Sequence, residues 1–238
     1  VTTFNGSTQK IFLNAQIKAS KTFIFTTGAS QRSESAESTE TSRRSEGSNG
    51  YFLLARQSFG GFASGKISTS IGVREDIEPR NQNQIKTYKG SVSYSNLRAT
   101  RHIKFNIGTG FKSPSVYQLY NQIYGNPDLK HESAQSFDLS LDVNDLKKQN
   151  SFSISYFNNR YSNLISVAPI TFKSINIGSA EIYGIESNLS TAINPRIRLT
   201  VGHTHLLGAL DLDTKSNLLR RPTNTWKLGF EFLFDSKL

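Results

Sequence analysis

Apolar and polar residues alternate with a period of two along most of the chain. Ile67, Thr69, Ile71 and Val73 fall on one face against Lys66, Ser68, Ser70 and Arg74. Phe137, Leu139, Leu141 and Val143 stand opposite Ser136, Asp138, Ser140 and Asp142. The same pattern sets Phe152, Ile154 and Tyr156 against Ser151, Ser153 and Ser155. It also sets Ile197, Leu199 and Val201 against Arg196, Arg198 and Thr200, and Trp226, Leu228, Phe230 and Phe232 against Thr225, Lys227, Gly229 and Glu231. Weaker runs begin near Lys10, Thr22, Gly50, Thr87, Arg101 and Glu181. Alternation of this kind predicts a strand with two unlike faces, here repeated about eleven times. Each run spans about 9–13 residues, beyond the ~5–6 of an ordinary globular strand and near the ~9–11 of a tilted membrane strand.

The connections predict a second regularity. Short turns are expected at Ala19-Ser20, Gly60-Gly61, Leu97–Thr100, Asn144–Lys148 and Ala192–Pro195. Longer polar loops are expected at Ser33–Ser48, Glu75–Asn83, Phe111–Glu132, Tyr161–Ile175 and Gly208–Arg220, the first of them low in complexity and mobile. Short and long alternate, so an up-and-down antiparallel sheet carries all its short turns at one end and all its long loops at the other. Membrane barrels have that asymmetry. A soluble two-layer sandwich also alternates, with the apolar face inward. Strand length and segregated loops favour the barrel, with apolar side chains toward lipid and Ser, Lys, Asp and Arg toward a wet lumen. Tyr88, Tyr94, Tyr156 and Trp226 then lie on the outward face near run ends, as an aromatic belt.

Composition narrows the choice further. Hydrophobic residues are 36% and charged residues 19% of the 238, with 11% aromatic. That aromatic and β-branched content opposes disorder. No stretch approaches the ~18 apolar residues of a membrane-spanning helix. Cysteine is absent, which removes disulfides and thiolate chemistry. Lys and Arg number 28 against 18 Asp and Glu, a net charge of +10. These cations are scattered, and pairs such as Arg43-Arg44, Lys147-Lys148 and Arg220-Arg221 lie far apart, so no nucleic-acid partner is expected. Methionine is absent too, and neither the N-terminus nor the run Phe230–Phe234 reads as a natural end. The chain therefore reads as an interior piece of a mature protein, without linker or internal repeat.

The segment Gly108-Thr109-Gly110-Phe111-Lys112-Ser113-Pro114-Ser115-Val116-Tyr117-Gln118-Leu119-Tyr120, followed by Tyr124-Gly125-Asn126-Pro127-Asp128-Leu129-Lys130-His131-Glu132, resembles the TonB-dependent outer-membrane receptors. The shared pattern is Phe-basic-small-Pro, a Leu-Tyr pair, then Gly-Asn-Pro-x-Leu-x-x-Glu. Downstream, Ser155–Asn159 with Asn163-Leu164-Ile165, and Asn176 with Glu181, Gly184 and Glu186, are similar to later family positions. The pieces Gln118-Leu119-Tyr120, Tyr124–Pro127 and Leu218–Pro222 look most like the cobalamin-receptor branch. His131 stands where the family has Pro. A haem receptor would carry His between the two motifs, and none lies between Ser115 and Gly125.

The resemblance implies an all-β, antiparallel up-and-down transmembrane barrel in the bacterial outer membrane, with long extracellular loops and short periplasmic turns. The chain matches a partial barrel domain over 1–238, about 11 of ~22 strands; plug domain, TonB box and closing C-terminal strands are not recognised in it. The implied activity is uptake of a large scarce nutrient, cobalamin or a ferric siderophore, driven by the TonB-ExbB-ExbD system through the plug. Outer-membrane lipid is the other partner, and the complete receptor is expected to be a monomer without cofactor. The different class left open is a soluble sandwich for binding or adhesion.

Tyr117, Gln118, Tyr120, Gln122, Tyr124 and Asn126 are candidates for ligand contact, since rigid amphipathic rings with amide groups suit a corrinoid or chelate. Phe111, Pro114, Gly125, Pro127, Leu129, Glu132, Asn176, Gly184 and Glu186 are motif residues with structural roles, the prolines and Asn fixing turns. Fixing the loop is also the alternative role for the six contact candidates. Glu186 is placed on the lumen face, where a network with Arg or Lys would balance it. Lys89, Lys104, Arg198 and Lys227 share that face, free to attract an anionic ligand or to meet plug carboxylates. His203 and His205 share the outward face near the long-loop rim; lacking an evident third ligand they are read as interfacial, and no metal site is assigned. Glu34, Glu37, Glu40 and Glu46 lack the spacing of an oxygen cage and read as a solvated loop. No catalytic constellation stands out, which leaves an outer-membrane hydrolase without support.

Overall fold

A computed structural model describes residues 3–39, 41–62, 65–78, 83–96, 98, 100–145 and 150–232. In chain order the elements are β1 (Phe4–Lys18), β2 (Phe23–Ser38), β3 (Thr41–Phe62), β4 (Gly65–Glu78), β5 (Asn83–Asn96), β6 (Arg101–Lys112) and α1 (Val116–Tyr120). They continue with β7 (Glu132–Asp145), β8 (Asn150–Ser162), β9 (Leu164–Val167), β10 (Ser174–Ile177), β11 (Ala180–Asn194), β12 (Ile197–Asp211) and β13 (Asn224–Phe232). Eleven strands form one antiparallel sheet in the order β1-β2-β3-β4-β5-β6-β7-β8-β11-β12-β13; β9 and β10 make a separate two-stranded hairpin. Neighbours in sequence are neighbours in space, as an up-and-down meander requires.

Register carries one face unbroken across the sheet. Ile17 pairs Phe25, which pairs Ala55, which pairs Ile71. Val92 pairs Phe105, which pairs Leu139, which pairs Tyr156. Leu189 pairs Val201, which pairs Leu228. These are the apolar members of each alternating run. No second layer covers them: Ile71 is 68% exposed, Leu139 49% and Phe230 55%. Phe137 and Ile154 are exposed on the same face and meet no opposing sheet, which excludes the two-layer sandwich.

The opposite face is the polar one. Lys104 meets Asp142 at 2.9 Å and Asn106 donates to Asp138 at 2.7 Å. Ser70 and Ser91 share a hydrogen bond of 2.7 Å. Arg74 grips Asp76 in a two-point pair of 2.5 and 2.6 Å and donates to Ser30 at 2.9 Å, and Asp76 is only 3% exposed. A buried carboxylate needs such a partner. The fully buried apolar residues of the strands, Leu54, Ile85 and Ala180, also point this way; Val116, Leu119 and Leu129 are buried in the connection that crosses this face. The usual globular arrangement is inverted.

Tyr51 and Tyr88 end the apolar stripe toward the long loops, and Phe59 and Tyr94 end it toward the short turns. From Tyr51 to Phe59 is eight residues, roughly 27 Å along the strand at ~3.4 Å per residue; with a strand tilt of ~35–45° that rises roughly 20 Å, most of the ~25 Å apolar band of an outer-membrane barrel. Tyr88, Tyr94, Tyr156 and Trp226 all sit on the apolar face, as the alternation predicts.

The long-loop end departs from expectation. Ser33–Ser48 is a paired ribbon, not a mobile loop: Ser33 pairs Gly47, Glu34 pairs Glu46 and Ser35 pairs Ser45. Backbone ladders do not depend on apolar side chains, so strands already in register extend past the lipid with Ser and Glu on them. β4 likewise runs on to Glu78, and β12 to Asp211, shortening the loops expected at Glu75–Asn83 and Gly208–Arg220. The segment Tyr161–Ile175 contains β9 and the start of β10. At the other end, strands also run through Gly60-Gly61 and to Asn194, so those turns are tighter than the sequence indicates. Parts of the predicted turns Leu97–Thr100 and Asn144–Lys148, the Arg80-containing tip after Glu78, Glu40 and the segment beyond Phe232 lie outside the described residues.

The two faces predict opposite responses to a charge. In the full-length receptor, Leu139→Arg on the apolar face is expected to cost ~2–4 kcal/mol of barrel stability in lipid. Ser153→Arg, beside Asp142 on the polar face, is expected to change it by less than ~1 kcal/mol. Urea unfolding in vesicles, followed by gel mobility of unheated samples, measures both; equal losses at the two positions would refute the assignment of faces.

Candidate functional site

The connection from β6 to β7 does not stand free above the rim. It crosses the polar face toward β2 and β3 and returns. Ser113 donates to Glu78 of β4 as the chain leaves β6. A one-turn helix, α1, follows. Ser115 caps it: its hydroxyl accepts from the Gln118 amide at 3.2 Å, while Gln118 Oε1 accepts from the Ser115 amide at 2.9 Å. This reciprocal capping box satisfies two otherwise orphaned donors. The spacing Ser115-x-x-Gln118 is legible in the sequence and is the signal for a helix that the reading of a plain loop misses. Val116 and Leu119 face down and are buried. Tyr120, at the far end, donates its hydroxyl to Glu46 of β3, and the Arg44 guanidinium lies 5.6 Å from its ring centre.

The return path is held by amide side chains. Asn121 is buried, and its Oδ1 accepts from Ile123 and Tyr124 amides at 2.9 and 2.8 Å, closing a tight turn. The Gly125 amide donates to the Asn121 carbonyl at 2.8 Å. A Cβ on Gly125 would lie 2.3 Å from that oxygen, so no other residue fits without moving the backbone. Asn126 Nδ2 donates to the Ser174 carbonyl at 2.9 Å, and its Oδ1 accepts from the Asp128 amide at 3.0 Å. The Ser174 amide returns a bond to the Tyr124 carbonyl at 2.8 Å. Pro127 follows at the exposed turn, and Leu129 is buried beneath it.

Asn176 completes the docking. Its Oδ1 accepts from the Lys130 amide at 2.8 Å, and its Nδ2 donates to the carbonyls of Lys130 at 3.0 Å and Asn163 at 2.8 Å. Asn163 is left-handed, φ 55°, which Asn tolerates better than most residues. Glu132 Oε1 accepts from the Ile165 amide at 2.8 Å, while its other oxygen lies 3.0 Å from Lys112 Nζ. The motif Gly-Asn-Pro-x-Leu-x-x-Glu and the distant Asn176 thus form one device, which zips the strap to the β9–β10 hairpin. His131, the departure from the family pattern, meets Phe111 edge to face with ring centres 6.0 Å apart.

Each sequence candidate can now be placed. Gln118 and Asn126 are engaged in holding the strap's own backbone, and Tyr120 in anchoring it to β3. Tyr117, Gln122 and Tyr124 present exposed surface, Tyr117 at 41% and Tyr124 at 37%, with Ile123 between them at 52%. Pro114 is buried with Leu119 at a small cavity between strap and sheet that Arg32, Glu34, Glu46 and Glu78 line. Arg32 and Glu34 pair there at 2.5 Å. The sequence did not single out Ser115, Asn121, Arg44 or Glu78; the first two are visible as turn chemistry, the last two only through tertiary contact.

Gly184 sits where the β11–β12 register shifts, and a Cβ there would approach the His205 carbonyl to 2.4 Å. Glu186 does lie on the polar face, between Ser155 and Thr204, but no ion pair reaches it among the described residues. It is exposed. Lys89, Lys104, Arg198 and Lys227 share that face; Lys104 pairs with Asp142, and Arg198 lies 3.6 Å from Glu231.

With one lipid-facing sheet and a strapped polar face established, the class is an outer-membrane barrel wall. The chain belongs to the family described as TonB dependent receptor-like, beta-barrel, which it matches over residues 2–236. It is 28% identical over 154 residues to the vitamin B12 transporter BtuB of Photobacterium profundum, covering 62% of this chain and 25% of that protein. The fold matches the siderophore receptor PirA of Pseudomonas aeruginosa with TM-score 0.72 at 19% identity, over 87% of this chain and 41% of that one. It also matches the FrpB iron transporter of Neisseria meningitidis (F3-3 variant) with TM-score 0.73 at 12% identity, over 98% and 41%. The chain thus spans a quarter of the curated relative's length and about two fifths of these solved receptors. It is part of a β-barrel of the bacterial outer membrane.

Asn176→Ala in the full-length receptor removes three bonds to backbone groups and is expected to cost about 1–3 kcal/mol of local stability. Hydrogen exchange at the Lys130 amide should speed up at least tenfold, about 1.4 kcal/mol, while exchange in β7 stays unchanged. Unaltered exchange at Lys130 would show that the zip is not what orders the strap.

Proposed function

We propose that this chain forms the strapped part of the barrel of a transporter that takes up cobalamin across the outer membrane. The observation carrying this is the exposed Tyr117–Ile123–Tyr124 surface on a strap anchored to the sheet and to the β9–β10 hairpin. That surface offers two rigid rings and an aliphatic side chain, with Gln122 beside them, at the mouth of a polar lumen. A corrinoid is broad, partly apolar and fringed with amides, so rings for its faces and an amide for its edge are suited to it. The 28% identity with a vitamin B12 transporter supports this ligand over others. The likeness to siderophore and iron receptors is one of fold, and a ferric siderophore is the alternative cargo. The fold supports a binding and transport role, and no reacting group is invoked.

The sheet supplies a wall and not a closed pore. β1 and β13 each pair on one side only among the described residues, and an open edge is not tolerated in lipid. Further strands therefore close the barrel in the whole receptor, with a plug in the lumen that couples to TonB-ExbB-ExbD. Lys89 and Lys227, which reach the lumen without an ion-pair partner among the described residues, are placed to meet carboxylates of such a plug.

Equilibrium binding of cyanocobalamin and of ferric siderophores to the full-length receptor decides the cargo. Tight binding of cyanocobalamin is expected, and the double variant Tyr117→Ala/Tyr124→Ala should weaken it at least tenfold, about 1.4 kcal/mol. Binding of a ferric siderophore in its place would overturn the cargo; an unchanged affinity in the variant would overturn the contact surface.

A further inference from the structure

His203 and His205 lie two residues apart on β12, so alternation puts both rings on the outward face. The third group that the sequence does not reveal comes from β13. Asn224 is the register partner of His205, and its Oδ1 lies 2.9 Å from His205 Nδ1 and 3.0 Å from His203 Nε2. Two imidazole nitrogens therefore converge on one carbonyl oxygen from two sides. The rings are 6.2 Å apart between centres with planes at 29°. Trp226, the register partner of His203 and the chain's one tryptophan, stacks on the His203 ring at 3.9 Å and 18°. That stacking restricts the orientation of the His203 ring.

We propose that His203, His205 and Asn224 form a binding site for a divalent transition-metal ion of the copper–nickel–zinc type, at the outer rim of the barrel wall. Each ring nitrogen releases to solvent the proton it shares with Asn224 Oδ1, and the ion lies among the two nitrogens and that oxygen, with water completing its shell. Imidazole nitrogen with one oxygen suits these metals and not Mg2+ or Ca2+, which take oxygen donors. For a fixed donor set Cu2+ binds tightest of the three. Access favours the assignment. The rings are half-buried, not sealed, and sit at the loop end of the stripe, with Leu228 and Phe230 toward the membrane centre. Their cross-strand neighbours on β11, Ser187 and Ile185, carry no charge, so no ion pair competes for the imidazoles. The site is independent of the cargo: it faces away from the strap and the lumen.

Cu2+ alone, added to the full-length receptor in detergent, is the probe. Bound copper is counted by equilibrium dialysis, and its ligands are read by electron paramagnetic resonance of frozen samples. The receptor is expected to bind one more Cu2+ than its His203→Gln/His205→Gln variant, with nitrogen hyperfine structure from two imidazoles that the variant lacks. Each single variant should bind that copper at least tenfold more weakly. Asn224→Asp, which keeps both rings and adds a negative charge, should bind it at least tenfold more tightly. Unheated gel mobility establishes that each variant is folded. Equal copper and equal spectra in the folded double variant would overturn the site; should that variant fail to insert, an unchanged affinity in Asn224→Asp would overturn it instead.

Discussion

Lipid offers no hydrogen-bond partner, and that single deficiency organises this chain. Every amide and carbonyl in the apolar band must be met by the neighbouring strand, because leaving one unmet costs several kcal/mol. Eleven strands in one sheet, with register held from β1 to β13, satisfy that demand except along the outer edges of β1 and β13. Once the backbone is satisfied, the side chains are free to obey the solvents on each side. Leucine, isoleucine and phenylalanine face hydrocarbon; serine, lysine and aspartate face water. The low apolar share of 36% follows from the geometry, since one residue in two along each strand needs no hydrophobicity at all.

The same demand changes form above the membrane. The strap between β6 and β7 has too few strand partners to close its backbone bonds in a ladder, so amide side chains close them. Asn121, Asn126 and Asn176 each meet more than one backbone group, and Glu132 meets the Ile165 amide while pairing with Lys112. Asn126 and Asn176 each donate and accept at once, which is why a carboxylate or a lysine would serve those two positions less well. With those polar groups engaged, the aromatic and aliphatic side chains of Tyr117, Ile123 and Tyr124 are left to form the presented surface. Order in the strap and availability of its contact groups thus have one cause.

The division between legible and illegible features follows contact range. Strand number, strand faces and the aromatic ends are periodic properties of consecutive residues, so alternation reveals them. The capping box at Ser115 and Gln118 and the turn at Asn121 are equally local, and were readable though the length of the segment masked them as loop. The polar ribbon Ser33–Ser48 misleads because β propensity scales describe half-buried surfaces; here the ladder is inherited from the strands beneath, without burial. Glu78 with Ser113, Arg44 with Tyr120, and Asn224 with the two histidines join residues of separate elements, and no spacing rule brings them together. Even the motif residues resembled a family pattern without disclosing that Asn176 and Lys130 belong to one clasp.

The two ends of the strap are held by different chemistry, and this bears on how a mouth of this kind opens and closes. Toward β9 and β10, side-chain amides bind backbone groups whose alternative partners are scarce, and Leu129 is buried between them. Toward β3 and β4, the Tyr120 hydroxyl meets the Glu46 carboxylate and the Ser113 hydroxyl meets that of Glu78. Glu46 is half-buried near the rim, where water replaces a lost partner at about 0.5–1.5 kcal/mol, whereas Glu78 is only 8% exposed and its bond costs more to break. Lifting α1 off the β2–β3 ribbon would also expose Val116 and Leu119, at about 1.5–3 kcal/mol for each side chain, so apolar burial holds this end as the amide clasp at Asn126 and Asn176 holds the other. The extended ribbon then has a physical reason for its length: Arg32, Glu34 and Glu46 on it form, with Pro114 and Leu119 of the strap, the seat opposite the clasp, and Glu46 there accepts the Tyr120 hydroxyl.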